Sequence, residues 1–178
     1  MKKSIIMIVC LLSTMLFAVD CAAQQIDVND VSMTIPDTYQ SSGYLMDTTQ
    51  GICYANFEDT STKEGAGIRI QPSDIPNAAT LNDVPDSKLL EETNFAFSEM
   101  AKAGMQIKNT PNFARVTVNG YPAMLTTIDA IVPKGHFITY CYTLVKDQKI
   151  IYVLYSCPSD QTDSFQPAIV QMNSTLHI

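Results

Sequence analysis

The feature that most constrains the fold of this chain is residues 137–157, where two runs of β-favouring residues flank four polar residues. If the connecting loop has two or four residues, Cys141 lies opposite Leu154 and Cys157 lies opposite Ile138, because cross-strand partners share a face of the sheet. This stretch therefore predicts a β-hairpin with a defined register.

Both faces of the predicted hairpin are largely apolar. The first face carries Ile138, Tyr140, Tyr142, Leu144, Ile151, Val153, Tyr155 and Cys157. The second face carries Phe137, Thr139, Cys141, Thr143, Val145, Ile150, Tyr152 and Leu154. A solvated antiparallel sheet has one polar face, so this pattern predicts a central hairpin covered on both sides. The rest of the chain has to supply further strands beside it and helices over it.

The first 23 residues have the composition of a secretory signal peptide. Lys2 and Lys3 precede an apolar run over residues 5–19, and small residues follow before Gln24. This run is short for a membrane span, and no later stretch is long and apolar enough to cross a bilayer. We therefore expect an exported protein, periplasmic or extracellular, with residues 24–178 forming one domain.

Cys21 supports an alternative interpretation, in which this cysteine is the first mature residue and carries a lipid anchor. A lipoprotein signal usually has a small residue just before the cysteine, and Asp20 occupies that position here. Soluble export is therefore the favoured interpretation.

The charge of the chain excludes some partners. The full chain has a net charge of −7, and removing residues 1–23 takes away two of the 11 basic and one of the 18 acidic residues, which leaves −8. Lys and Arg form no cluster in the sequence. These properties argue against binding to nucleic acid or to anionic membrane surfaces.

Three cysteines, Cys53, Cys141 and Cys157, remain after such processing. In an oxidising compartment an odd number means at least one free thiol or an intermolecular disulfide. Cys141 and Cys157 are poor partners because they point to opposite faces of the predicted hairpin. A disulfide of Cys53 with either one stays open, beside the simpler interpretation that all three are buried as small apolar side chains.

The first half of the chain predicts strands joined by loops. After a polar lead, the strand pattern over residues 31–35 stops at a proline, and residues 44–46 pair with 52–57 across a polar turn. Residues 66–71 form another strand. Residues 72–85, with three prolines, form a long connection.

The second half contains two predicted helices and a second hairpin. Residues 87–103 have an apolar helical face about a third of the cylinder wide. One stripe of this face contains Leu90, Phe97 and Ala101, and the adjoining stripe contains Leu89, Thr93, Ala96 and Met100. Asp86 or Ser87 is the expected cap at the start, and Gly104 ends the helix.

Asn119-Gly120 between two β-rich runs predicts a type I′ turn. Helical spacing from Phe165 to Met172 predicts a short last helix near the sheet edge, with Ser164 as its cap.

The order of these elements resembles the PsbP-like family. The resemblance rests on a strand ending in Ile35-Pro36, one long helix, the run 118–123 (Val-Asn-Gly-Tyr-Pro-Ala) opening a series of antiparallel strands, and Phe165 in a closing helix. It spans nearly all of residues 25–178. It implies an α+β fold, an α/β/α sandwich with a central antiparallel sheet, one long helix and a short C-terminal helix, used to bind partners and not for catalysis.

Few residues suit catalysis. Cys141 lies about 16 Å along the strand from His136, so Cys53 is the thiol left to pair with this histidine in a nucleophilic site. The sequence has neither zinc-ligand spacing nor a phosphate-binding loop, so we expect no metal and no cofactor. The candidate binding surface consists of four tyrosines outside the central hairpin and the histidine at its start. These residues are Tyr39, Tyr44, Tyr54, Tyr121 and His136.

These observations favour a non-enzymatic binding or accessory module of the bacterial cell envelope, whose partner is another envelope protein. Two alternatives stay open. The first is an envelope hydrolase or thiol enzyme that uses Cys53 and His136. The second is a small-ligand binder with an apolar pocket between the long helix and the sheet.

Overall fold

The computed structural model describes residues 23–178 except 48, 74, 76 and 77. Apart from Ala23, the predicted leader and its alternative lipid site at Cys21 lie outside the described residues. Ten strands are described: β1 (Ala23–Val28), β2 (Val31–Pro36), β3 (Gln40–Asp47), β4 (Ile52–Glu58), β5 (Gly65–Pro72), β6 (Gln106–Ile107), β7 (Ala114–Val118), β8 (Tyr121–Val132), β9 (Gly135–Lys146) and β10 (Lys149–Pro158). The helices are α1 (Asp86–Lys102), α2 (Thr162–Ser174) and a 3-10 turn at Leu81–Asp83.

Eight strands form one antiparallel sheet. Its order is β3-β4-β5-β10-β9-β8-β6, and β7 pairs with the other end of β8. β1 and β2 form a separate two-stranded hairpin. The predicted α+β fold with a central antiparallel sheet, one long helix and one short helix is confirmed.

The predicted central hairpin, β9–β10, occupies the middle of the sheet. Cys141 pairs with Leu154 and Cys157 pairs with Ile138, so the predicted register is confirmed. The connecting turn has two residues, Asp147 and Gln148, both with positive φ. This conformation belongs to type I′ turns, whose twist matches that of the flanking strands.

The Asn119-Gly120 turn is also confirmed. Val118 pairs with Tyr121 across it, and the two turn residues have φ values of 44° and 85°. The side-chain amide of Asn119 donates a hydrogen bond of 2.7 Å to the carbonyl oxygen of Leu176. The turn thus holds the end of the chain as well as the hairpin.

The polar lead before β2 proved to be a strand, which the sequence analysis had missed. β1 pairs with β2 over its whole length, through a turn in which Asn29 has a φ of 56°. Ile26 and Val28 alternate with polar residues and are buried. Two apolar positions were too few to indicate a strand, and pairing with β2 supplied the rest of the stabilisation.

We call the first face of the sheet the core face. It carries Leu144, Ile151, Val153, Tyr155 and Cys157, each at most 2% exposed. The β1–β2 hairpin and α2 pack against it in one hydrophobic cluster. This face forms the main core of the protein.

Helix α2 covers the middle of the sheet, and not its edge as predicted. Phe165, Ile169 and Met172 are buried in the main core, and Asn173 accepts a hydrogen bond of 2.8 Å from the Tyr155 hydroxyl of central strand β10. Ser164 is not the cap either. The N-cap is Gln161, and the Ser164 hydroxyl donates to the Gln161 carbonyl oxygen.

We call the second face the cavity face, and α1 lies on this side of the sheet. The buried stripe of α1 is Leu89, Thr93 and Phe97, whereas Leu90, expected inside, is 44% exposed. In the sequence, the stripe that contains Leu90 and the adjoining stripe that contains Leu89 have the same helical spacing. Contacts of Leu89 with residues of the sheet selected the observed one.

The start of α1 also differs from the prediction. Pro85 is the N-cap and makes no side-chain capping bond, while Asp86 accepts a hydrogen bond from Arg115 Nε at 2.8 Å. The same guanidinium donates to the carbonyl oxygens of Leu81 and Val84, so β7 fixes the start of the helix. Gly104, with φ of 90°, follows the helix end as predicted.

Candidate functional site

A cavity of about 950 Å³ lies between α1 and the cavity face of the sheet. Sites that enclose drug-sized ligands usually have volumes of about 300–1,000 Å³. The cavity therefore has the size of a small-molecule site. It lies between the long helix and the sheet, where the small-ligand alternative from the sequence expected an apolar pocket.

The cavity exists because α1 is attached mainly at its ends. At the start, Leu89 packs with Met124 and Val145 in a second hydrophobic cluster. At the end, β6 follows the helix and pairs with β8 through Gln106 and Ile131. Between these attachments Thr93 Oγ1 lies 3.9 Å from Met124 Sδ of the sheet, and the rest of the space below the helix is open.

The roof and the floor of the cavity differ in chemistry. The α1 roof is mostly apolar, with Leu89, Phe97 and Met100 among its residues, while Thr93 bonds back to the helix and Glu92 and Glu99 lie at the rim. The floor on the three central strands combines apolar side chains with hydroxyls and one thiol, and it includes Met124, Thr126, Ile128, Thr139, Cys141, Thr143, Tyr152, Leu154 and Ser156. The site is therefore apolar above and amphipathic below.

The cavity opens toward β3–β5. The lining residues Ser42, Asn56 and Arg69 on those strands are exposed, whereas Met124 and Thr143 on the central strands are buried. Gly67 adds no side chain to the floor on this side, and a Cβ atom there would lie only 2.4 Å from the Asn56 side-chain oxygen. A ligand would enter over β5 and move toward β8.

Cys141 is a nucleophilic group on the cavity floor. Its side chain keeps some surface toward the cavity, but the walls enclose it, and this burial raises the pKa of the thiol to about 11. Its Sγ lies 3.8 Å from Thr143 Oγ1. At neutral pH the group is a protonated thiol, which is a poor nucleophile.

The structure places the five predicted site residues in different surroundings, and none of them lines this cavity. Tyr39 is buried in the main core and bonds to Glu64 Oε2 at 3.2 Å, and burial raises the pKa of its phenol. Tyr121 packs against the same core. Tyr44 is 57% exposed on edge strand β3, and Tyr54 lies on the neighbouring strand β4.

His136 is the last of the five predicted site residues. It is the second residue of β9, and its Nε2 lies 2.6 Å from Asp129 Oδ1. Cys53 belongs to the row of paired residues that includes Leu144, which lies eight residues after His136 along β9. This separation is roughly 26 Å along the strand direction. The structure therefore does not bring together the Cys53 and His136 of the thiol-enzyme alternative.

The three cysteines of the described chain form no disulfide with one another. Cys53 and Cys157 are buried on the core face, in different rows of the sheet, and Cys141 faces the cavity. The predicted separation of Cys141 and Cys157 onto opposite faces is confirmed.

The cavity floor contains candidate binding residues that the sequence predicted only to be buried on the second face of the hairpin. Thr139, Cys141 and Thr143 were assigned correctly to the second face of the hairpin. The available signal was the run of three small polar side chains on this face of β9, where the other face carries large aliphatic and aromatic ones. Such a difference between faces favours a polar contact on one side only.

Two further observations concern residues 23–178 as the structure describes them. Neither helix there has the length and apolar character needed to cross a membrane. No three His, Cys, Asp or Glu side chains within the same range are grouped as they would be to hold a metal ion.

The architecture defines this chain as an α+β protein with a PsbP-like fold. Its structure is similar to that of cyanobacterial PsbP (CyanoP) from Synechocystis sp. PCC 6803, with a TM-score of 0.62 and 14% identity over 89% of this chain and 93% of that chain. The predicted resemblance to PsbP-like proteins is confirmed at the level of fold.

Two other solved structures share the fold. LpqN, involved in cell envelope biogenesis of Mycobacterium tuberculosis, is similar with a TM-score of 0.52 and 10% identity over 88% of this chain and 91% of that one. A Bacteroides thetaiotaomicron protein has a TM-score of 0.51 and 10% identity over 83% of this chain and 44% of its own. A scan of protein-family models and a search of curated proteins found no match.

Proposed function

We propose that this chain is an exported, non-enzymatic binding module of the cell envelope, and that it binds a small apolar ligand in the cavity under α1. The observation that carries this proposal is the cavity of about 950 Å³ with an apolar roof. A compact protein normally fills such a space with side chains, so an open volume of this size favours an occupant.

The envelope location is supported by two observations. Residues 1–23 have the basic start, apolar run and small residues of a signal peptide. Among structures with the same fold is LpqN, which is involved in cell envelope biogenesis.

A non-enzymatic role is supported by the chemistry of the site. The thiol that lines the cavity is protonated at neutral pH because its pKa is raised. His136 does not line the cavity, and Cys53 is far from His136 along the sheet. The groups facing the cavity suit binding better than covalent catalysis.

Binding of another envelope protein, the partner expected from the sequence, stays a prediction. Edge strand β3 is the surface that favours it, because the consecutive residues Tyr44, Leu45 and Met46 are 57%, 41% and 49% exposed. An exposed edge strand can pair with an extended segment of a partner.

Cavity binding can be tested with N-phenyl-1-naphthylamine, a dye whose emission rises in apolar surroundings. The protein has no tryptophan, so its own fluorescence interferes little. We expect saturable binding to the wild type and a loss of affinity of at least about 10-fold in Cys141→Phe, because the ring would occupy the middle of the cavity floor.

Ser98→Phe is the matched control, because Ser98 is exposed on α1 and does not line the cavity. This variant should bind the dye like the wild type. Circular dichroism and thermal melting should show that both variants are folded. Unchanged dye binding by folded Cys141→Phe would show that the cavity is not the binding site.

Export can be tested by the intact mass of the protein released by its native host, before and after thiol alkylation in denaturant without reduction. We expect a chain that starts at Gln24 and gains three alkyl groups, because Cys53, Cys141 and Cys157 carry no disulfide. Retention of residues 1–23 would contradict export, and a mass that includes lipid on Cys21 would replace soluble export by membrane anchoring.

A further inference from the structure

The floor of the cavity carries more polar groups than apolar contact alone requires. Every inward-facing residue of β9 between Phe137 and Val145 has a hydroxyl or a thiol: Thr139, Cys141 and Thr143. On the core face of the same strand, Ile138 and Leu144 are aliphatic, and Tyr140 and Tyr142 carry their hydroxyls at the end of large apolar rings. Hydroxyls that a ligand shields from water favour binding only if the ligand or the protein bonds to them.

The buried polar residues are concentrated at this cavity. In the part of the chain that the structure describes, four polar or charged residues are buried, and three of them, Thr93, Thr126 and Thr143, line the cavity. Thr93 Oγ1 donates to the Leu89 carbonyl oxygen at 2.8 Å, and Thr143 Oγ1 lies near the Cys141 thiol. These two hydroxyls therefore have partners within the protein.

Thr126 differs from the other two. It is only 6% exposed, and its Oγ1 has no hydrogen-bond partner among the described residues. A buried hydroxyl without a partner is unfavourable, and such groups in native proteins are few. This Oγ1 has almost no accessible surface, so a ligand group in the cavity bonds to it after the side chain turns the hydroxyl toward the cavity that Thr126 lines.

The register puts Thr126 well inside the cavity. It pairs with Cys141, which pairs with Leu154, which in turn pairs with Gly67 near the opening. This row crosses four strands, each about 4.8 Å from the next. A ligand group that bonds to Thr126 would lie at the closed end of the site, roughly 14 Å from the strand at the opening.

The charged residues that line the cavity are at its rim. They lie outside the central strands and are Glu58, Lys63, Arg69, Glu92, Glu99 and Lys134. Glu92 and Glu99 form ion pairs with lysines of α1, and Lys134 pairs with Glu58. The floor on the central strands β8–β10 carries no charged lining residue among those described. A charged group would lose its hydration at this floor without gaining a counter-charge, so the ligand group there should be neutral.

We propose that the cavity takes a neutral amphipathic molecule, which places a hydroxyl or carbonyl group against Thr126 and its hydrocarbon against Leu89 and Phe97 of α1. This inference rests on the proposed function, since it specifies the ligand class of the same cavity. The uncharged hydrogen-bonding group lies at the closed end, and the hydrocarbon fills the space under the helix.

The test compares two probes of nearly equal shape, 2-acetylnaphthalene and 2-isopropylnaphthalene, in which a carbonyl oxygen replaces a methyl group. Their affinities are measured by displacement of the dye from wild-type protein and from Thr126→Val, Thr126→Ser and Thr127→Val. Valine matches threonine in shape without the hydroxyl, and serine keeps the hydroxyl. Thr127 is the matched control, because it lies next in the same strand and faces the opposite side of the sheet.

We expect 2-acetylnaphthalene to bind more tightly than 2-isopropylnaphthalene to the wild type. In Thr126→Val its affinity should fall by about 3- to 10-fold, as expected for one hydrogen bond, while the affinity for the hydrocarbon probe stays unchanged. Thr126→Ser and Thr127→Val should behave like the wild type. Anionic 2-naphthoate should bind more weakly than 2-acetylnaphthalene.

The inference is overturned if Thr126→Val weakens both probes equally, if it weakens neither, or if 2-naphthoate binds most tightly. Those outcomes leave dye binding in the cavity, and hence the proposed function, intact. Failure of the dye itself to bind the wild type would overturn the proposed function and this inference together.

Discussion

Leu144→Ala is expected to lower the free energy of unfolding by about 2–5 kcal/mol, and Leu154→Ala by no more than about 1 kcal/mol. The two leucines lie on adjacent central strands, but they face opposite sides of the sheet. Leu144 is fully buried in the main core, so truncation would leave a void there. Leu154 is half-buried and already faces open space, so truncation removes fewer contacts.

Urea unfolding followed by far-ultraviolet circular dichroism measures both effects. The dependence of the free energy on urea should be the same in the two variants, because a change in that slope would indicate an altered denatured or native state. Equal losses of stability in Leu144→Ala and Leu154→Ala would mean that the cavity face is as tightly packed as the core face. That result would remove the basis for a ligand site under α1.

The second large effect concerns the reactivity of Cys141 toward iodoacetamide. Its thiol pKa is raised from 9.0 to about 11 by burial, so at pH 8 its thiolate fraction is about 100-fold smaller than that of an ordinary thiol. The greater nucleophilicity of a more basic thiolate recovers roughly 10-fold. We therefore expect alkylation at least about 10-fold slower than that of a free thiol.

The pH dependence follows from the direction of this shift. Burial disfavours the thiolate, so the folded protein keeps the proton that the unfolded chain releases near its usual pKa. The alkylation rate should keep rising above pH 9, toward pH 11. The stability that this thiol contributes is full below pH 9 and is lost as the pH rises toward 11.

Mass spectrometry of peptides from protein alkylated in its folded state measures the rate at each cysteine. Cys141 should react before Cys157, which has a similarly raised thiol pKa but no exposed surface on the core face. Saturating 2-isopropylnaphthalene should slow the reaction of Cys141, and Cys141→Ser should remove the signal. A rate at pH 8 equal to that of a free thiol, or a rate unaffected by the probe, would contradict an enclosed thiol in the ligand cavity.

Much of the sheet could be predicted because the signals are local. The Asn119-Gly120 turn and the alternating residues of β9–β10 set their own register, since a slip by one residue would exchange the two faces of the strands. The weak strand β1 was missed because its pairing with β2 stabilises it more than its own composition does. Helix α1 and its apolar face were predicted, but contacts of Leu89 and Arg115 decided which part of that face turns inward.

The sequence by itself determined the class of fold, the register of the central hairpin and the division of its residues between two faces. Turn chemistry and alternation act over a few residues, and they do not depend on distant parts of the chain. Only the tertiary structure decided that one face is a filled core and the other a cavity floor. That difference depends on how closely α2 and α1 approach the sheet, and contacts at the two ends of α1 hold its middle away from Thr126 and Cys141.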